Sequence, residues 1–342
     1  MHSAWAVSAE PSASALPLPD SSASSSCPAS RVARIAAALA AALLALLLCG
    51  GSGDGSGNES GNAASGPAGS EAPSGGAPFS PEFHDASYDL EVMKGTPEAG
   101  IDVSHASQGY VVAVGRGGQK MKFSVTCEDS VSTFDLPNDG TPTVFPLTAG
   151  NGTYRLAIMR NTSGSRYAEA FAGTMDVTLE SEFAPFLRPS CWCDYDQNSQ
   201  CVVKAQELTA SCATQVEALA AVFDYVTQNI EYDVDKADQL NGKSGYLPNP
   251  DRTLREGQGI CSDYASLMAA MLRSLGIPTK VIVGRVMPDD FVHAWNLVYV
   301  DGSWRTVQVD VRAGEWSLVD TTFSASGGEG SANTKYYEQY AY

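Results

Sequence analysis

Histidine is scarce in this sequence, and basic side chains are few beside the acidic ones. Only four of its 342 residues are histidine, and only His293 lies beyond residue 105. Any chemistry in the last two thirds of the chain that needs an imidazole therefore has one to use. Lysine and arginine number 21 against 39 acidic residues, a formal net charge of −18. Phosphate backbones need a basic stripe, so a nucleic-acid partner is not expected. No block of five like charges occurs, and the acidity reads as a dispersed, solvated surface. Long hydrophobic runs are also missing. The run Ile35 to Leu48 has 14 residues, short of the about 20 that a bilayer-spanning helix needs. There is no internal repeat and no nucleotide-binding loop, and the second half gathers no metal-ligand cluster, so no cofactor is implied.

The short apolar run follows Arg31 and Arg34, and Cys49 comes next, ahead of a Gly/Ser-rich stretch. That arrangement suits a signal-peptide core. It resembles a bacterial lipoprotein signal, in which Cys49 would be lipidated; cleavage elsewhere and an uncleaved anchor are the alternatives. Residues 1–49 are therefore read as a presequence with a signal peptide or lipoprotein anchor. Residues 50–81, too poor in apolar side chains to fold, are read as a flexible linker. The expected location is extracytoplasmic, at the cell surface, with membrane contact only through this N-terminal anchor.

From residue 82 to 186 the hydrophobic period is two. The stretch "KMKFSVTCED" puts Met121, Phe123, Val125 and Cys127 on one face, and "GTYRLAIMRN" and "GTMDVTLE" alternate likewise. Turn clusters "PNDGTP", "AGNGT" and "NTSGSR" separate these runs, which predicts an all-β, sandwich-like domain. His84 and His105 lie here with no nearby Cys/Asp/Glu constellation, and are assigned surface or loop roles.

Residues 187–342 change pattern. "TQVEALAAVFDYVTQNIEYD" carries Val216, Leu219, Ala220, Phe223, Val226 and Ile230 at helical spacing. Four strand-like runs close the chain, which makes this half α+β. Between them, "GQGICSDYASLMAAMLRSLGIP" reads as a glycine-broken loop running into a helix from Ser262 to Leu275, closed by Gly276 and Pro278. Ala265, Met268, Ala269, Leu272 and Leu275 are expected to face inward. Cys261 then falls at the first turn or cap, where free backbone N–H groups and the positive end of the helix dipole favour a thiolate. The same N–H groups can receive the oxyanion of a tetrahedral intermediate. A thiol nucleophile needs a base, and the base needs a third group to orient it. His293 is the imidazole available. It heads "HAWNLVYV", whose alternation groups it with Trp295, Leu297 and Tyr299. Two acids follow. Asp310 shares a polar face with Thr306 and Gln308, and Asp320 an apolar face with Trp316 and Leu318. A shielded carboxylate orients an imidazole better, which favours Asp320.

These motifs together, "GICSDYASLMAAMLRSLGIPTKVIVG", "HAWNLVYVDGSW" and "WSLVDTTF", resemble the transglutaminase-like superfamily of papain-type thiol enzymes, from near Val216 through Phe323. The resemblance implies an α+β, papain-like transglutaminase core, a helix bearing the nucleophile packed on an antiparallel sheet. It implies Cys261 as nucleophile, His293 as general base and acid, and Asp320 as the orienting carboxylate. The activity implied is acyl transfer from peptide or isopeptide amides through a Cys thioester, with hydrolysis favoured. A cross-linking protein-glutamine transglutaminase and a non-catalytic adhesion scaffold are the alternatives. The partner is then a protein or peptide substrate, with cell-wall peptide one class. Gln258 and Tyr232 are candidates for an oxyanion donor.

Four further cysteines, Cys191, Cys193, Cys201 and Cys212, lack the paired spacing of a structural zinc site. In an exported chain they predict two disulfides, 191–201 with 193–212 or 191–212 with 193–201. Cys127 is expected to be a buried free thiol.

Overall fold

The computed structural model describes residues 6–7, 77–240, 243, 245–287, 291–310, 315–317 and 335–342. The apolar run 35–48, Cys49, residues 50–76 of the linker and Asp320 lie outside the described residues. Among the described residues no helix is long and apolar enough to cross a membrane.

Ala6–Val7, within the segment read as the presequence, forms strand β1, and the period-two half builds β2 (Lys94–Gly95), β3 (Ala99–Asp102), β4 (Tyr110–Gly115), β5 (Met121–Cys127), β6 (Ser130–Leu136), β7 (Thr143–Pro146), β8 (Gly152–Ser163) and β9 (Arg166–Val177). They form two antiparallel sheets, ordered β1-β9-β8-β5-β6 and β2-β3-β4-β7. Met121, Phe123, Val125 and Cys127 are all buried, so β5 turns its apolar face inward as its alternation requires. Phe123 of one sheet meets Phe145 of the other at 4.6 Å between ring centroids, and Phe134 adds a third ring. This is a sandwich, with its core made by the inward faces of both sheets.

The second half supplies helices α1 (Gln200–Thr209), α2 (Gln215–Asn229), α3 (Val234–Leu240), α4 (Pro250–Glu256) and α5 (Cys261–Ser274). Its strands are β10 (Glu231–Tyr232), β11 (Gln258–Gly259), β12 (Thr279–Met287), β13 (Phe291–Val300), β14 (Ser303–Asp310), β15 (Glu315–Ser317) and β16 (Lys335–Ala341). The last five make one antiparallel sheet ordered β15-β14-β13-β12-β16. Asp301 and Gly302, both with positive φ, join β13 to β14 as the tight two-residue turn that an Asp-Gly pair favours. The chain is thus α+β as expected.

Two helices differ from their sequence reading. A capping box starts α2: the Thr214 hydroxyl accepts from Glu217 N–H at 3.2 Å, and the Glu217 carboxylate accepts from Thr214 N–H at 3.3 Å. Its buried stripe runs through Ala218, Leu219, Val222 and Val226, while Val216 and Ala220 face solvent. The apolar residues were right in kind, but the buried face is rotated. In α5 every residue from Ser262 to Ser274 is buried, the polar ones included, because helices surround it on one side and the sheet covers the other. Its end follows a Schellman geometry, with Gly276 N–H donating to Arg273 carbonyl and Ile277 N–H to Leu272 carbonyl. Gly276 takes φ +77°, and a β-carbon there would stand 3.0 Å from the Glu82 carbonyl oxygen.

The expected disulfides are not formed. Cys191, Cys193, Cys201 and Cys212 are free thiols, as are Cys127 and Cys261. Cys191, Cys193 and Cys201 pack as small apolar side chains within the core, and Cys212 sits at its margin. Burial pushes the Cys191 and Cys201 thiols well up, which keeps them protonated and unreactive.

Candidate active site

The chain is steered into Cys261, the candidate nucleophile, by three short devices. Gly257, at φ +64°, ends α4, and the parallel pair β10–β11 follows, with Asp233 N–H donating to Gly259 carbonyl at 2.9 Å. Ile260 then caps α5 in extended backbone, so Cys261 occupies the first helical position. Its side chain is half-buried, at the N-terminal end of the helix, where the positive end of the helix dipole lies.

Asp263, one turn into the helix and fully buried, fixes this entrance. Its carboxylate accepts from Ile260 N–H at 2.9 Å and from Lys236 Nζ at 2.7 Å, and the Tyr246 hydroxyl donates to it as well. Lys236 also lies over the Tyr246 ring at 4.9 Å, and Arg252 donates to the Tyr246 hydroxyl at 3.0 Å. Gly259 leaves the room this carboxylate needs, since a β-carbon there would come within 2.7 Å of Asp263 Cβ. A carboxylate so close to a thiolate would by itself oppose it; the Lys236 ammonium, drawn in from α3, offsets that charge. Burial lowers the Lys236 pKa, and its bonds to Asp263 and Tyr246 more than reverse this, leaving it above the ordinary lysine value. Sequence reasoning missed this cluster. Asp263 is visible only as an acid three residues after the cap, and its partners lie 27 and 17 residues away.

His293 comes from β13, buried, with its ring stacked on that of Trp295 at 6.3 Å between centroids. The opposite face of β13 is tied to α5. Asn296 Nδ2 donates to the Ala265 carbonyl, one helical turn beyond Cys261, at 2.9 Å, and to the Lys280 carbonyl at 3.2 Å. Strand and helix are therefore held in one register. Cys261 and His293 line the same cavity, of about 180 Å³, whose walls include Ile260, Ser262, Val292 and Ala294.

The other expected residues fall as follows. Asp310 ends β14, where its backbone pairs with Glu315, and Asp320 lies outside the described residues. Gln258 and Tyr232, on paired strands, are not among the residues lining the cavity. His84 pairs with Glu82 at 3.8 Å and His105 stacks on Tyr110, both within or beside the sandwich.

Residues 203–309 match the family model of the transglutaminase-like superfamily. This segment is a transglutaminase-like domain. A stretch of 128 residues is 30% identical to mouse kyphoscoliosis peptidase and 29% identical to the human protein of that name. Each match covers 34% of this chain and 18% of the relative, so the chain corresponds to under one fifth of those proteins. Among solved structures, a protein from Cytophaga hutchinsonii described as a candidate cysteine protease is similar, with 16% identity and a TM-score of 0.33. That match covers 68% of this chain and 86% of the other. Red sea bream transglutaminase is similar at 14% identity and a TM-score of 0.27, over 60% of this chain and 49% of the other. The transglutaminase-like domain thus comprises α2 to α5 with β12 and β13 complete, and the sandwich precedes it in the chain.

Proposed function

We propose that this protein is a thiol acyl-transfer enzyme that hydrolyses peptide or isopeptide amides through a Cys261 thioester. The observation that carries this reading is that Cys261, at the first position of a buried helix, and His293, on the strand registered against that helix, line one cavity. The Cys261 thiolate attacks the amide carbonyl, and the new S–C bond leaves a tetrahedral oxyanion at the positive, N-terminal end of α5. The C–N bond then breaks as the His293 imidazolium gives its proton to the leaving amine. Water attacks the thioester, His293 takes its proton, and the carboxylic acid leaves with the thiolate restored. Asp320 is assigned to hold the imidazole. Hydrolysis is preferred to cross-linking on the resemblance to proteins named peptidases. The lipoprotein-like reading of residues 1–49 supports an extracytoplasmic, surface-anchored enzyme held through Cys49 or an uncleaved anchor, with peptides of the surrounding surface proposed as its substrates.

The test is alkylation of Cys261 by iodoacetamide from pH 4 to 9, followed by peptide mapping. A midpoint well below the ordinary thiol value of about 8.5 is expected, moving upward in His293→Ala. Ordinary thiol behaviour in both proteins would overturn the enzyme reading. Asp320→Asn should lower kcat/KM by up to about 10⁴-fold, far more than Asp310→Asn, if Asp320 sets the imidazole tautomer.

A further inference from the structure

The cavity over Cys261 is not built by the transglutaminase-like segment alone. One wall is Thr133, Phe134 and Asp135 from β6 of the sandwich, and another is Tyr340 and Tyr342. Tyr342 is the hub. Its ring stacks on Trp192 at 4.7 Å and 10°, meets Phe134 edge-on at 5.4 Å, and lies parallel to Tyr340 at 6.0 Å. The backbone of Tyr342 is fixed by two hydrogen bonds to Val281 at 2.8 Å and one from the buried Arg273 guanidinium at 2.7 Å. Burial holds its phenol well above the ordinary value, so the ring stays a neutral wall. Leu247 and Val292 also line the cavity, and Val292 precedes the imidazole in sequence.

We infer that this composite chamber is a subsite for one aromatic side chain of a peptide substrate, and that the sandwich takes part in choosing the substrate. Its volume of about 180 Å³ suits a single ring, since an apolar cavity of about 150 Å³ takes up benzene. Its walls offer both ring faces and ring edges, the geometries in which aromatic side chains attract one another. The rest of the occupant is chain. Asp135 and Gly245 line this chamber and also a second depression of about 450 Å³, which carries Lys120, Lys122, Asn138 and Tyr167. Gly245, at φ +87°, passes so close to Asp135 that a β-carbon would meet its carboxylate at 2.8 Å, and these two residues form the boundary that both depressions share. A substrate seated by its ring beside Cys261 would thus lie next to a polar depression that could receive neighbouring residues. The inference relies on the proposed chemistry only for where the scissile bond lies.

The full chain carrying Cys261→Ala is titrated with N-acetylated tetraglycine amides bearing Phe, Leu, Ala or Asp at each position in turn, by calorimetry. The Phe peptide should bind at least about tenfold tighter than the Ala peptide at one position, with Leu between them. In the wild type the same peptide should protect Cys261 from iodoacetamide. Phe134→Leu, a mild change in a buried wall, should weaken the Phe preference several-fold while the alkylation midpoint of Cys261 stays in place. Equal binding of Phe and Ala peptides at every position, or binding that leaves Cys261 unprotected, would overturn the inference. Selective binding with protection but no turnover would instead sink the hydrolase reading and leave the subsite standing.

Discussion

At the scale of single residues, the decisive group beyond Cys261 and His293 is Asp263. It is fully buried, and three of its interactions converge within one turn of Cys261. Removing one partner of a buried ion pair leaves the other charge uncompensated, which costs about 3–5 kcal/mol where burial is complete. Lys236 retains some exposure, so Asp263→Asn should cost less, about 2–3 kcal/mol, measurable by urea unfolding. Lys236→Met combined with Asp263→Asn should cost less than the sum of the single changes, since the second removes a charge already orphaned. Strict additivity would show that the two do not interact. The pH dependence has a definite sign. The folded Lys236 pKa lies above its unfolded value, so the pair's contribution is complete below the unfolded value of about 10.4. It is lost as pH rises through the folded value. The stability gap between wild type and Lys236→Met should therefore be constant from pH 6 to 9 and close above about pH 10.4. A gap that closed between pH 6 and 9 would point to a different pairing.

At the scale of elements, β13 shows how backbone room positions the His293 side chain. The Trp295 ring under His293 lies over Gly284 of β12, where a β-carbon would approach its edge to 2.6 Å. The same β-carbon would stand 2.2 Å from the Tyr337 carbonyl oxygen, at the bulge where β16 leaves its register with β12. Gly284→Ala must shift backbone as well as ring, so a loss of about 1–3 kcal/mol is expected. Turnover should fall more steeply than the alkylation rate of Cys261, because Trp295 acts through the imidazole. An unchanged kcat/KM would show that Trp295 has no part in holding His293. Much at this scale was readable in the sequence. Glycine and proline bracket α5, Asp-Gly marks the β13–β14 turn, and strict alternation gives β5, because each signal is local. The rotated face of α2 and the all-round burial of α5 were not readable, since neighbours distant in sequence decide which residues are covered. The thiols are a different matter. Disulfides were inferred from the compartment that the presequence suggests, whereas packing in the core decides that Cys191, Cys193 and Cys201 remain small buried hydrophobes.

At the scale of the whole molecule, the two composition regimes share one buried cluster, from Ala99 and Phe123 in the sandwich to Leu272 and Tyr342 in the α+β half. Arg273 draws it together. The side chain is fully buried and donates only to carbonyls, of Thr279, Arg188 and Tyr342, at 2.7 to 2.8 Å. Arg188 in turn lies over the Tyr110 ring of β4 at 5.8 Å, and Phe134 of β6 meets Tyr342. Separate domains joined by a polar contact would melt separately, but a continuous apolar core gives neither half a folded surface to fall back on. Calorimetry of the full chain should therefore show one cooperative transition, its midpoint rising with added salt as the self-repulsion of a chain of net charge −18 is screened. Arg273→Met removes three buried hydrogen bonds, to the carbonyls of Thr279, Arg188 and Tyr342, of which Tyr342 still accepts from Val281 N–H, and should cost about 2–4 kcal/mol. At about 2–4 °C per kcal/mol for a structure of this size, the single midpoint should drop by roughly 4–16 °C without splitting. Two resolved transitions, with only the later-sequence half sensitive to Arg273→Met, would show instead that the sandwich is thermodynamically separate. The aromatic chamber it helps to build would then form only while two independently stable halves stay docked.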